Sequence, residues 1–300
     1  MSKSAKGSFF LLSAALVWGL AFVAQKFAAG NIGALTFICM RSLVTCAVLI
    51  PICAIRLRRA KGKIALKEHL LPGSIMGVLT FGAIALQQWG LVFTSASKSG
   101  FVTALYIIIV PLTGLFFRRR PGFNLWIGVI FALTGTALLS LNFRSGFSVG
   151  LGEILTFGCA VVFSTHIIYV DTHAQGLDAT LLCAIQFAVS FILGGAGMFV
   201  FESPSLSQVM GNAASILYVG AISGAVGYTF QLIGQKHAEP ALASLLMCME
   251  SVFAALGGWI IAGEVLRPIE YVGCILMLAG CVFAQLPRNF IARLETKVGK

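Results

Sequence analysis

The 300-residue chain is 58% hydrophobic and only 10% charged, with a mean hydropathy of +0.96. That leaves too little polar surface to cover a soluble domain of this size. A net charge of +11 would suit a nucleic-acid partner, but the basic residues lie between apolar runs and not in one patch, which excludes that reading.

Ten apolar runs, each near the ~20 residues a helix needs to cross a bilayer, predict ten spans at 8–26, 32–54, 70–92, 96–117, 123–141, 150–170, 179–201, 213–234, 240–262 and 269–286. The first follows Lys3 and Lys6 without a small-residue cleavage site after it, so it reads as a retained helix and not a signal peptide. The second holds Arg41, together with Cys39, Cys46 and Cys53 at helix-face spacing. Cys274 and Cys281 repeat that spacing in the tenth. With no Cys-x-x-Cys pair, these thiols read as small packing residues, and no metal site is predicted.

Polar residues inside the later spans fall into stripes. The third span carries Thr80, Gln87 and Thr94, and the fourth Ser99, Thr103, Tyr106, Val110 and Thr113. Pro111 predicts a kink in the fourth. The sixth presents Phe163 and His166, and the eighth puts Gly224, Tyr228, Gln231 and Gln235 on one face. In the ninth, Glu250 shares a face with Ala243, Met247, Ala254 and Gly257. Lipid offers such groups no partner, so the stripes must face protein or water. Gly194-Gly195 and Gly257-Gly258, with Pro111, are candidate hinges or points of close helix packing.

Charge gives the orientation. With the N-terminus inside, alternate connections collect 16 Lys and Arg on the cytoplasmic side, including Arg118 to Arg120, against four on the other side: Lys26, Lys98, Arg144 and Arg267. Arg41 alone lies within the membrane. This bias predicts that both termini are cytoplasmic.

The sequence also repeats. Gly7 through Trp18 to Lys26 matches Gly152 through Phe163 to Asp171 at an offset of 145, which also pairs Arg41 with Gln186, Gly128 with Gly273 and Gly135 with Gly280. Gln88 with Gln231, and Pro111 with Ser251, pair at slightly shorter offsets. The predicted units are 8–142 and 150–287, flanked by basic tails 1–7 and 288–300. Five spans per half is odd, so the halves enter from opposite sides: an all-α polytopic membrane protein of two inverted five-helix repeats.

These segments make the chain recognisable. Leu16-Val-Trp-Gly, Arg41, Leu86-Gln-Gln-Trp-Gly-Leu before Thr94-Ser-Ala, Gly128 with Gly135, and Pro240 through Glu250-Ser251 to Glu264 resemble the EamA-type branch of the drug/metabolite transporter superfamily, over residues 8 to 286. Members of that family usually read Glu-Pro where this chain has Glu250-Ser251, and the restored N–H predicts a straighter ninth helix. The resemblance implies a central cavity lined by helices 1, 3, 4, 6, 8 and 9. It adds Trp18 to the cavity candidates Gln87, Thr103, Tyr106, Phe163, His166, Tyr228, Gln231 and Met247. Arg41 and Glu250 are the intramembrane charges, either a structural pair, a gate or, for Glu250, a substrate contact or proton carrier.

The implied function is secondary transport, in the export direction, of small organic metabolites such as amino acids, across the plasma membrane. No phosphate-binding Gly-x-x-x-x-Gly-Lys loop occurs, and no cofactor is expected. Proton coupling and oligomeric state stay open. The rival reading is a polytopic enzyme acting on a lipid-like substrate through Asp171, His173 and Asp178.

Overall fold

In a bilayer the backbone N–H and C=O groups find no water, so an apolar segment must satisfy them within itself, as a helix. The computed structural model describes residues 3–61, 64–94, 96–116, 121–140, 149–262 and 267–286; among them the chain is nearly all helical, with no strand. Three long helices come first: α1 (Lys3–Ala28), α2 (Ala34–Arg59) and α3 (Leu66–Phe93). The fourth predicted span is two pieces, α4 (Ala96–Ala104) and α5 (Tyr106–Phe116), and the fifth is α6 (Phe123–Ser140). Then follow α7 (Leu151–His173) and α8 (Ala179–Phe201). The eighth span is preceded by α9 (Leu206–Gly211) and built from α10 (Ala213–Leu217), a π-helical stretch (Tyr218–Gly227) and α11 (Tyr228–Gln235). The ninth is α12 (Pro240–Met247) and α13 (Glu250–Ala262), and the tenth α14 (Pro268–Gln285).

Among the described residues, nine segments are long and apolar enough to cross a membrane, and Phe123–Leu139 is a shorter apolar helix. Lys63, Arg118 to Arg120, Arg144, Glu264 and the residues beyond 286 lie outside the described residues. Within the spans, Phe116, Phe199 and Val200 stand exposed, as side chains that face acyl chains do.

Contacts between the halves follow the sequence repeat. A Cβ on Gly128 would lie 2.7 Å from Gly280 O, and one on Gly280 would lie 2.6 Å from Gly128 O. Gly135 and Gly273 meet in the same way, at 2.5 and 2.7 Å. Adding 145 to Gly128 gives Gly273, and subtracting it from Gly280 gives Gly135, so each contact is the other with the halves exchanged. Only glycine permits backbones this close. The early residue of α6 meets the late one of α14, so the two helices run antiparallel.

Two further contacts obey the same exchange. Thr45 Oγ1 donates to Gly220 O at 2.8 Å, and its repeat mate Ser190 Oγ donates to Gly77 O at 3.3 Å. A Cβ on Gly220 would meet Arg41 O and Val44; one on Gly77 would meet Gln186 O and Val189, the repeat mates.

Several sequence expectations need correction. The ninth helix is not straighter for lacking a proline. It breaks between Met247 and Glu250, where the N–H groups of Met249 and Ser251 bond back only three residues, to Leu246 O (3.3 Å) and Cys248 O (3.1 Å). Gly19 of α1 presses on this turn: a Cβ there would sit 2.5 Å from Glu250 O. Tertiary packing therefore sets the break.

The fourth span departs from α geometry at Leu105, six residues before Pro111, which itself lies inside α5. Its polar stripe divides there. Ser99 and Thr103 belong to α4, Tyr106 opens α5, and Thr113 bonds back to Ile109 O at 2.7 Å. Neither glycine pair interrupts its helix. α8 runs unbroken past Gly194 and Gly195, which fit against Cys39, and α13 runs past Gly257 and Gly258, with Gly257 against Leu20.

Candidate functional site

The broken helices converge. Leu105 separates Thr103 from Tyr106, Glu250 opens α13, and the π-helical stretch gives way to α11 at Tyr228. Together with α1, α2, α3 and α7 they enclose a cavity of about 50 Å³. Non-helical backbone at membrane depth is tolerated where it is buried in protein or lines such a space.

One wall is aromatic. Trp18 packs on Tyr228 at 4.9 Å between ring centroids and edge-on to Phe163 at 5.9 Å. Trp18 and Phe163 are repeat mates, so this ring pair lies on the pseudo-two-fold axis. The indole N–H donates to Ser223 O at 3.4 Å, a carbonyl of the π-helical stretch. Tyr106 closes the cluster behind Phe163, at 5.6 Å.

The other wall is polar. Gln87 Nε2 donates to Thr103 Oγ1 at 3.3 Å, joining α3 to α4. Arg41 is about 10 Å along α2 from its start, at 1.5 Å per residue. Its Nη1 donates to Gln25 Oε1 at 3.4 Å. Glu250 Oε1 accepts from the Tyr106 hydroxyl at 3.4 Å. The two charged side chains line one cavity, yet among the described residues they form no ion pair with each other.

Of the sequence candidates, Trp18, Gln87, Thr103, Phe163, Tyr228, Arg41 and Glu250 reach the cavity, with Tyr106 directly behind it. Three others do not. His166 stacks on Phe163 and its Nε2 donates to Gln186 Oε1 at 3.2 Å. Gln231 donates to Gln235, whose amide reaches Ile167 O at 3.0 Å, tying α11 to α7. Met247 is fully buried in the main core. Sequence reading passed over Phe22, Gln25 and Ser223, which also line the space. Phe22 and Gln25 follow Trp18 at i+4 and i+7, one helical face, so their spacing carried the signal.

Both ends of the bundle are tied by polar contacts. At one end, the Glu202 carboxylate from the C-terminus of α8 accepts the backbone N–H groups of Leu35 and Thr36 at 2.9 and 2.8 Å, capping α2. Beside it Lys26 Nζ donates to Leu91 O and Thr94 O, and Thr94 Oγ1 donates to Glu153 at 2.5 Å.

At the opposite end, Asp178 caps α8 through the N–H groups of Thr180 and Leu181 and pairs with Arg56 of α2 at 2.5 Å. Its own N–H donates to His69 Nε2 at 2.8 Å, which fixes His69 to donate from Nδ1 to Ala65 O. A recess of about 410 Å³ opens here, edged by Arg56, His69, Asp178 and Lys236. Burial works against ionisation of Asp178, but the Leu181 N–H and Arg56 outweigh it and hold this carboxyl below its ordinary value. Its caps and ion pair thus occupy the residue that an enzymatic reading would use.

A two-repeat helical bundle with a polar, aromatic-walled cavity at its broken helices defines a membrane transporter. A profile of the EamA-like transporter family matches residues 5–141 and 150–285. The chain belongs to that family. An uncharacterized transporter of Archaeoglobus fulgidus is 26% identical over 278 residues, spanning 91% of this chain and 83% of that protein. The uncharacterized transporter YwfM of Bacillus subtilis is 24% identical over 294 residues, spanning 94% and 95%. A protein of known crystal structure superposes with a TM-score of 0.79 at 20% identity, over 94% of this chain and 96% of its own, and so shares the fold.

Proposed function

We propose that this protein is a secondary exporter of small organic metabolites, amino acids or close relatives among them, and that it works by alternating access around the central cavity. The observation that carries this reading is the meeting of three backbone irregularities on one polar cavity, the kind of place at which a transport cycle would bend its helices. At about 50 Å³ the cavity holds water and not a solute, which needs about 300 Å³ or more. A transport cycle must therefore widen it. In this proposal the end with Arg56, Asp178 and Lys236 is cytoplasmic, as are both termini, because the charge bias puts those connections inside. The host membrane is the plasma membrane, and the repeats divide near residues 142 and 150.

Purified protein in liposomes, screened for uptake of radiolabelled amino acids with and without a pH gradient, tests this. Gln87→Ala and Tyr106→Ala should lower the flux about tenfold, the loss of one good contact, while Phe131→Ala should not. Phe131 packs edge-on with Phe283, between α6 and α14 and away from the cavity. Equal losses at all three positions would refute the cavity as the path.

A further inference from the structure

The Arg41 and Gln186 positions are one niche built twice. Each opens toward an exchanged neighbour, Gly220 beside Arg41 and Gly77 beside Gln186, and each has a hydroxyl four residues on that bonds that neighbour's carbonyl. In the second repeat, the polar group at this position is neutral and has a side-chain partner: Gln186 accepts from His166, and both are fully buried, with only His166 Nδ1 left without a partner among the described residues. The repeat mate of His166 is Ala21, which offers nothing to Arg41. Arg41 is 2% exposed, its Nη1 has only the long contact to Gln25, and among the described residues its Nε has no hydrogen-bond partner. It borders the cavity. A buried guanidinium without a neutralising anion is strongly destabilised, and a free Nε edge is unexplained by the protein alone.

We infer that Arg41 is the anchor for a carboxylate of the transported solute. The inference rests on the transport reading above and names the group by which the solute is held. A carboxylate fits best on three counts. Its two oxygens match the planar Nε/Nη edge of a guanidinium. The Gln25 amide holds Nη1, on the other side of the guanidinium, and so leaves the Nε side without a protein partner. A phosphate dianion would bring a second negative charge into a cavity that already contains Glu250. The apolar body of the solute would then rest on Trp18, Phe22 and Tyr228.

The test uses the full chain in zwitterionic-lipid nanodiscs, so that anionic headgroups are absent. Acetate, butyrate and benzoate are titrated against acetamide, butyramide and benzamide while melting is followed. Each carboxylate should raise the melting temperature saturably, by roughly 2–4 °C, and its amide should not. Arg41→Gln should abolish the rise while folding is kept, since Gln186 shows that this niche accepts glutamine. Arg41→Lys should weaken the response about tenfold, because a point charge replaces a two-pronged donor. No rise in the wild type, or a rise that survives in Arg41→Gln, overturns the carboxylate site.

A liposome arm separates this inference from the transport reading beneath it. If Trp18→Ala loses all flux while Arg41→Gln moves acids and amides as the wild type does, the cavity is the path and the carboxylate anchor is wrong. If neither variant changes any flux, the transport path itself lies elsewhere.

Discussion

At the residue scale, Arg41 and Glu250 illustrate what a sequence withholds. Two opposite charges in an otherwise apolar bundle invite pairing, and the chain alone left that open beside gating and proton transfer. The fold gives each a different neighbour instead, Gln25 for Arg41 and Tyr106 for Glu250. Unpaired residues should behave independently. Glu250→Gln and Arg41→Gln are therefore expected to change unfolding free energy additively, within about 0.5 kcal/mol. A double mutant whose stability departs from the sum of the two single changes by more than that would reveal a hidden pair. The same single variant bears on coupling: if Glu250 carries the proton, Glu250→Gln abolishes gradient-driven flux but leaves exchange between equal solute pools. Which aromatic groups meet was partly legible: helix-face spacing marks Phe163 and Tyr228, the family resemblance adds Trp18, and the three rings cluster. The burial of His166, Gln231 and Met247 away from the cavity was not. Periodicity says that residues share a face but not which helix covers it.

At the element scale, span positions were readable because hydropathy and length fix them, whereas breaks within spans were not. Pro111 and the glycine pairs suggested irregularity at places where helices run on, and the actual breaks at Leu105 and Cys248 carry no local signal; the second lies where Gly19 of α1 presses on Glu250 O. The ends of α2 and α8 are a case where local chemistry is decisive. Asp178 caps one helix and grips Arg56 of the other. Asp178→Asn keeps a capping side chain and loses the ion pair, worth at most about 1 kcal/mol with Arg56 half exposed. Asp178→Ala loses both, about 1–2 kcal/mol in all. The folded state holds this carboxyl's pKa down. Its contribution is thus complete above the unfolded value of about 4 and fades as pH falls through the lower folded one. Melting curves between about pH 6 and 3 should show the wild type losing its margin over Asp178→Asn on acidification. A margin that grows toward low pH would contradict the assignment.

At the scale of the whole molecule, the charge bias and the polar clusters at the two ends make one prediction together. Single cysteines at Lys61 and His237 should react with an impermeant maleimide only from the cytoplasm, and one at Ser205 only from outside. Labelling of Ser205 from the cytoplasm would overturn the orientation. The contacts between halves have a further consequence. Gly128 with Gly280 and Gly135 with Gly273 form an isologous interface, in which each half offers the surface it receives. Two separate copies of a five-helix ancestor, inserted in opposite senses, would satisfy every such contact. They could not, however, differ at the niche below. Identical copies would place either two guanidiniums or two amides there, and two unneutralised cations in one low-dielectric bundle would repel each other. Joining the halves into one polypeptide is what allows a single positive charge to sit on one side of the axis, with Gln186 and His166 on the other. The asymmetry of this niche, Arg41 on one side and Gln186 on the other, is thus a property that two identical copies cannot hold.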